Sequence, residues 1–393
     1  MAKVSLAKGI YWVGAIDWEL RDFHGYHTPR GTTYNSYLIV DEKIALVDTV
    51  KAPFFEEMLE RIKEIVDPGK IDYIIANHVE IDHSGSLPMM VKEAGRAKVV
   101  STQKGKEGLE RYYAADWPSL VVKTGDKIEL GKNSLEFIEA PMLHWPDSMF
   151  TYVGEEELLL PNDGFGQHLA TTGRFDDEAE EAMEEAARYY ANILMPFSSL
   201  ITRMLKKIGE MNLKIKMIAP SHGVIWRSDP SRIIEAYTKW AAGETGEKIL
   251  VIYDTMWEST AIMARAILKG IMDEGGEAKL LHIRHSEWSD IIKEVLDARI
   301  VLVGSPTLHN GLFPPVAGFL TYLKGLKSKG KIGAAFGSYG WSGGAVQKVN
   351  EELKAAGMEV IEPGLSFRFR PDKGELDRGH EFGRELAGRV KTR

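Results

Sequence analysis

His78-Val79-Glu80-Ile81-Asp82-His83 packs four metal-capable side chains into one short stretch. It follows the apolar run Ile71-Asp72-Tyr73-Ile74-Ile75-Ala76, whose length and β-branched content predict a buried strand. A chain leaving that strand still extended would point His78, Glu80 and Asp82 to one side, because extended side chains alternate. A bend at Ser84-Gly85-Ser86 would then bring in His83, with a helix expected from Leu87. A single histidine or carboxylate after a strand is usually an ordinary polar loop. Four ligand-type residues at this density point instead to a bound metal.

The rest of the composition narrows the setting. At 393 residues the chain suits two domains, and 44% hydrophobic content can fill two cores. The net charge of −8 comes with no basic run long enough to track phosphates, which argues against nucleic acid as a partner. The absence of cysteine excludes disulfides, thiolate metal sites, cysteine-ligated iron–sulfur clusters and thiol redox motifs. No apolar run approaches the roughly 20 residues of a membrane helix, and Met1-Ala2-Lys3-Val4-Ser5 opens no signal-peptide core. A soluble, cytoplasmic protein is the expectation.

Strands are expected at Gly9 to Ile16, Tyr34 to Val40, Lys43 to Thr49, Ala97 to Ser101, Leu120 to Lys123, Lys127 to Leu130 and Leu135 to Ala140. Phe150 to Val153 and Glu157 to Leu160 read as a hairpin pair, and Lys214 to Ala219 as one more strand. Helical spacing marks Pro53 to Val66, Gln103 to Tyr113, Glu178 to Gly209 with an interruption near Pro196, and Ser231 to Ala241. Strands followed by helices, twice over, predict two sheets face to face with helices outside. Ala242-Gly243-Glu244-Thr245-Gly246-Glu247 reads as a boundary, giving domains of 1–245 and 248–393. Beyond it the strands Lys248 to Tyr253, Ala278 to Ile283, Arg299 to Gly304, Ile332 to Gly337 and Met358 to Ile361 alternate with helices. That alternation predicts a parallel, doubly wound sheet, with a last helix after Pro371.

One hexapeptide can only half-build a metal site. His144, in Ala140-Pro141-Met142-Leu143-His144, Asp163, in Leu160-Pro161-Asn162-Asp163, and His222, in Ile218-Ala219-Pro220-Ser221-His222, each follow an expected strand. Singly each is more often a loop residue or a satisfied core histidine. Together with the hexapeptide they share one layout of strand, loop and ligand, which is how one end of a sandwich gathers side chains from distant sequence.

This layout resembles the metallo-β-lactamase fold, whose hydrolases carry a His-x-His-x-Asp-His loop and bind zinc. Here Glu80 replaces the second histidine. An anionic oxygen in place of a neutral nitrogen gives three carboxylates beside four histidines, a donor set suited to iron or manganese, with Asp163 as the natural bridge between two metals.

In the second half, strand Lys248 to Tyr253 runs into Asp254-Thr255-Met256-Trp257-Glu258-Ser259-Thr260 and a helix. Thr255, Ser259 and Thr260 hydroxyls with the free N–H groups of a helix start make a phosphate cradle. Helix capping alone would also explain them. Two further loops at strand ends, Pro306-Thr307-Leu308-His309-Asn310 and Ser338-Tyr339-Gly340-Trp341-Ser342-Gly343, favour a ligand. Met256, Trp257, Tyr339 and Trp341 offer apolar and flat faces for a ring. The arrangement resembles flavodoxin, which holds FMN in this way.

The combination of both halves resembles the flavodiiron proteins (A-type flavoproteins), over essentially the whole chain. The resemblance implies FMN and two iron ions per chain. His78, Glu80 and His144 would bind one iron, Asp82, His83 and His222 the other, and Asp163 would bridge. It implies reduction of dioxygen to water, of nitric oxide to nitrous oxide, or of both. It also places His24 and a tyrosine of Arg188-Tyr189-Tyr190, read as Tyr190, near the irons. It further implies a head-to-tail homodimer, possibly paired into a tetramer. With no cysteine pairs in the chain, the electron donor is expected to be separate: a rubredoxin, a reduced deazaflavin or a reductase. The rival readings are a zinc hydrolase with an appended flavodoxin domain and an electron carrier whose metal is structural.

Overall fold

The computed structural model describes residues 3–391. Packing divides the chain into two units. One runs from the start of the described chain to Tyr189 and takes in Ser199–Thr238; the other takes in Tyr190–Ser198 and the chain from Lys239 onward. The division falls inside the helix Pro230–Ala242, just before the glycine-bearing stretch expected to mark it.

The first unit has two sheets. The larger has the order Val4–Ala7, Ile10–Trp12, Tyr37–Val40, Ile44–Val47, Ile71–Ile75, Lys98–Ser101 and Ser119–Val121. The smaller has Lys127–Glu129, Ser134–Glu139, Met149–Val153, Leu158–Leu160 and Met217–Ile218. One buried cluster takes side chains from both sheets, among them Tyr37, Val47, Ile75, Phe137, Val153 and Leu158, so the sheets face each other. A second cluster lies on the other face of the larger sheet. It joins Leu38, Leu46 and Ile74 to helix residues Met58, Ile62, Leu87, Met90 and Leu109. Alternation along each strand sends neighbours to opposite clusters, as at Leu46 and Val47. Each such buried aliphatic side chain contributes about 1.5–3 kcal/mol.

Two expected strands are broken. The stretch from Gly9 to Ile16 divides into Ile10–Trp12 and Ala15–Asp17, and that from Tyr34 to Val40 begins earlier, as Thr32–Tyr34 and Tyr37–Val40. Gly14 sits at the break, where a Cβ would collide with the Tyr34 carbonyl. The chain therefore leaves the large sheet to form the small ribbon Ala15–Asp17 with Thr32–Tyr34. The helical run from Ala182 to Tyr189 passes through a π turn, Tyr190–Leu194, and a 3-10 turn holding Pro196 before Ser198–Glu210. A π turn alters the phase of the side chains. Within the second unit, Asn192 donates to the Ser289 carbonyl and accepts from the Tyr322 hydroxyl.

The second unit has one parallel sheet in the order Ala278–His282, Ile249–Tyr253, Ile300–Gly304, Ile332–Tyr339 and Glu359–Arg368. Numbered along this unit the order is 2-1-3-4-5, that of flavodoxin. Ile249–Tyr253 and Ile300–Gly304 are buried at every position, because both faces of the sheet are covered. The final helix, Lys373–Lys391, packs on Ser259–Asp273 closely enough that a Cβ at Gly383 would meet the Ile267 carbonyl. Among the described residues no helix is long and apolar enough to cross a membrane.

Candidate metal centre and flavin site

The strand Ile71–Ile75 delivers the chain to His78, but the alternation expected beyond it stops at Glu80. Ile81–Ser84 is a turn of helix capped by Glu80, so Asp82 and His83 are presented by helical rather than extended geometry. That turn points them at a different group from His78 and Glu80. His78, Glu80, His144 and Asp163 gather in one set, and Asp82, His83 and His222 in another.

Asp163 faces both. Its Oδ2 lies 3.7 Å from His78 Nε2 and 3.4 Å from His144 Nε2. Its Oδ1 lies 3.1 Å from His83 Nε2 and 3.4 Å from His222 Nε2. Glu80 Oε2 is 3.3 Å from both His78 Nε2 and His144 Nε2. Asp82 Oδ2 is 3.1 Å from His222 Nε2 and Asp82 Oδ1 is 3.4 Å from His83 Nε2. All seven residues are buried.

Outer partners aim these groups. The Asp147 carboxylate takes His78 Nδ1–H at 2.9 Å and the Val79 N–H at 2.8 Å, which leaves the His78 Nε2 lone pair facing inward. The Thr33 carbonyl does the same for His222 Nδ1 at 2.7 Å. Buried Asp48 accepts from Asn77 and Asn162, tying the loop before His78 to the loop before Asp163. These residues escape sequence reasoning. Only Asp147, in His144-Trp145-Pro146-Asp147, carries a signal, as a carboxylate just beyond a ligand-type histidine.

The unpartnered donor atoms call for a cation. Asp82 Oδ1 and Oδ2, His83 Nε2, Asp163 Oδ2 and His222 Nε2 are buried without a hydrogen-bond partner. Burial opposes charge on His78, yet its bonds to Asp147 and Glu80 outweigh that and hold it up at about 10. His144 is likewise raised to about 10 against burial by Asp163 and Glu80, and His83 to about 9 by Asp82 and Asp163. Burial pushes the Asp163 carboxyl up, but His83 and His144 hold it well below the usual carboxylate range. Inward-facing histidine nitrogens that hold protons against ionised carboxylates mark where a bound metal would take the protons' place. The donor set fits two hard or borderline ions, with no thiolate among the ligands.

His24 stands at the tip of the hairpin Asp22–Phe23/Tyr26–His27, which the sequence reading missed, and its Nε2 is 2.6 Å from Glu80 Oε1. The two tyrosines part company. The Tyr190 hydroxyl pairs with Ser198 and its ring with Trp240, all in the second unit. Tyr189 instead lies 5.1 Å from the ring of His168 and 6.2 Å from that of His222. The tyrosine beside the cluster is therefore Tyr189 and not Tyr190, since successive residues of a helix point about 100° apart. His168, also missed, is buried. Burial and the neighbouring His222 hold it well below the ordinary histidine range, and its Nδ1 is 2.7 Å from the Thr32 hydroxyl.

In the second unit a cavity of about 700 Å³ is lined by Met256, Trp257, Ser259, residues 306–310 and 338–342, Phe369 and Arg370. Thr255 and Thr260 are buried beside it in sequence. The Thr260 hydroxyl pairs with Ser338 at 3.1 Å, while Thr255 Oγ1 is buried with no partner. Gly343 is not among the lining residues; Phe369 and Arg370 are additions. A buried hydroxyl wanting a partner, a helix start at Ser259, and Trp257 and Trp341 both 88% exposed fit a phosphate below and a flat ring above.

A metal-holding sandwich followed by a flavodoxin fold defines a two-part metalloflavoprotein. Residues 32–223 match the ODP family beta lactamase model, and residues 251–383 match flavodoxin. The chain is 54% identical to a nitric oxide reductase of Moorella thermoacetica over 98% of both chains. Its structure resembles rubredoxin oxygen:oxidoreductase of Desulfovibrio gigas, with a TM-score of 0.96, 38% identity, and 99% of this chain and 98% of that one covered. It also resembles the flavodiiron protein of Giardia intestinalis, with a TM-score of 0.95, 37% identity, and 99% and 97% covered. The chain belongs to the flavodiiron protein family.

Proposed function

We propose that this protein is an oxidoreductase that reduces dioxygen to water, nitric oxide to nitrous oxide, or both, with two irons and FMN as cofactors. The observation that carries this reading is Asp163, whose two oxygens face two separate groups of nitrogen and oxygen donors. His78, Glu80 and His144 would hold one iron, Asp82, His83 and His222 the other. The cavity at Trp257 and Trp341 would hold FMN, with Thr255, Ser259 and Thr260 on its phosphate. Together these cofactors supply up to four electrons, enough for dioxygen, while joining two nitric oxide molecules takes two.

The chain's own residues supply the rest. Burial of all seven ligand-type residues keeps bulk water from the reaction space. His24 has nearly half its side chain in solvent and its Nε2 on Glu80, so it can carry a proton inward. The phenol of Tyr189, raised by burial and by Asp163, stays protonated as a hydrogen-bond donor. The Glu80 oxygen, in the place where zinc hydrolases have histidine, favours iron and disfavours the hydrolase alternative.

This sequence has no cysteine to hold a rubredoxin iron, and we take the electrons to come from a separate donor, a rubredoxin as the first choice, ahead of a reduced deazaflavin or a reductase. A head-to-tail homodimer, possibly assembled further, in the cytoplasm completes the reading. Metal analysis of anaerobically purified protein, followed by gas consumption with a reduced donor, tests it. Iron in both donor groups with gas uptake is expected. Zinc, with no activity gained on iron loading, would return the hydrolase reading.

A further inference from the structure

The missed hairpin is a strained feature in direct contact with the metal centre. Asp22–Phe23 and Tyr26–His27 are joined by His24-Gly25, with φ of 53° and 78°. Positive φ at both central residues is the type I′ turn, where asparagine–glycine is the favoured pair. A histidine held left-handed is unfavourable relative to glycine or asparagine. The same residue reaches down to Glu80 at 2.6 Å, which gives the strain a structural reason. Asp22 stiffens the turn by accepting the Gly25 N–H.

The turn places two unlike side chains over the two donor groups. His24 is polar and lies on the group of Glu80 and His144, with its ring 6.4 Å from that of His144. Phe23 is apolar and lies on the other group, its ring 6.0 Å from that of His222 and 4.5 Å from that of His168. Phe23 is partly exposed, whereas His222, His168 and the ligand-type carboxylates are buried. Tyr26 lies 6.2 Å from the Phe23 ring and 5.6 Å from that of His168, and Tyr189 lies 5.1 Å from His168, so Phe23 belongs to an aromatic cluster.

We propose that the Asp22–His27 hairpin caps the metal centre and that Phe23 is a specificity-determining residue, its ring setting the size of ligand that can reach the Asp82–His83–His222 group. The cap admits diatomic and linear triatomic molecules and excludes anything as wide as a benzene ring. This rests on the function proposed above, since it takes that group to be a metal site. The fixed backbone of a two-residue turn makes the exclusion a matter of the side chain and not of loop motion.

The test uses the oxidised protein loaded with iron and FMN, titrated with azide and with phenol, and followed by their charge-transfer absorption on ferric iron. Phe23→Ala removes a ring-sized volume that the ring of phenol can refill, as engineered apolar cavities take up benzene. We expect phenol affinity to rise at least about tenfold while azide changes less than about threefold. Phe23→Trp should weaken azide by about tenfold through added bulk. Equal shifts for both ligands, or phenol binding unchanged in Phe23→Ala, would overturn the cap. If Phe23→Ala loses iron, Phe23→Leu carries the same comparison, with a smaller gain for phenol expected and no gain overturning the proposal. Wild-type protein that carries iron and binds azide keeps the functional reading whatever Phe23 does; one that binds neither overturns both.

Discussion

The two units build their sites in opposite ways. In the first, the functional groups are buried, charged and aimed at one another, with several oxygens and nitrogens lacking any partner. In the second, the central strands Ile249–Tyr253 and Ile300–Gly304 are apolar and buried throughout, and the site lies at the sheet's rim on loops whose tryptophans stand in solvent. The first unit is therefore electrostatically incomplete without its metals. The second is a finished fold with a receptive edge. Ligand loss should disturb the first far more than the second.

Removing the shared carboxylate breaks that comparison most directly. Asp163→Ala should lose metal from both groups and all gas reduction while FMN stays bound, read by metal analysis and flavin absorbance. Retention of both irons would refute the bridging role.

Next comes pH, where the metal-free protein should show the units diverging. His78 and His144, raised to about 10, and His83, raised to about 9, lie above the ordinary value of 6.5. Their stabilisation is complete below that value and is lost as pH climbs through 9 to 10. Lys331 behaves in reverse. Burial lowers its ammonium to about 8, so the second unit should gain up to about 3 kcal/mol as pH rises from about 8 to 10.5. Hydrogen exchange resolved by unit would separate the trends. Parallel responses would mean that the contrast in charge has no bearing on stability.

A smaller effect is expected at Asp147. Asp147→Ala leaves His78 free to turn, and metal affinity should fall about 10–100-fold with FMN untouched. The smallest is Thr260→Val, which removes a hydroxyl from the phosphate cradle and should weaken FMN by about tenfold without altering metal content. Unchanged FMN affinity in titrations of the FMN-free protein would count against the cradle.

The same contrast explains what could be read from the sequence. In the second unit every expected strand and helix has its counterpart, since fully buried parallel strands are continuous apolar runs. In the first, the seven ligand-type residues stood out by chemistry, and the structure brings them together. Their local geometry did not, because a helical turn at Ile81–Ser84 has no apolar periodicity to announce it. Short pieces such as Asp22–His27 and the π turn at Tyr190 were hidden for the same reason, and with them the positions of Phe23 and Tyr189. Asp48 and His168 act through contacts distant in sequence, which one chain does not display.

Tyr190–Ser198 has a consequence for how the protein is made. It belongs to the second unit, yet it emerges from the ribosome long before Trp288–Asp297 and Pro314–Gly325, the helices flanking its bonds to Ser289 and Tyr322. At ~5–20 residues per second, the nascent chain waits on the order of ten seconds with Ile193, Leu194 and Met195 uncovered. The first unit thus has to fold around a loop it cannot bury itself. A gene cut at the interdomain glycines would leave each half wrong, one with an orphan apolar segment and the other without the piece that closes it.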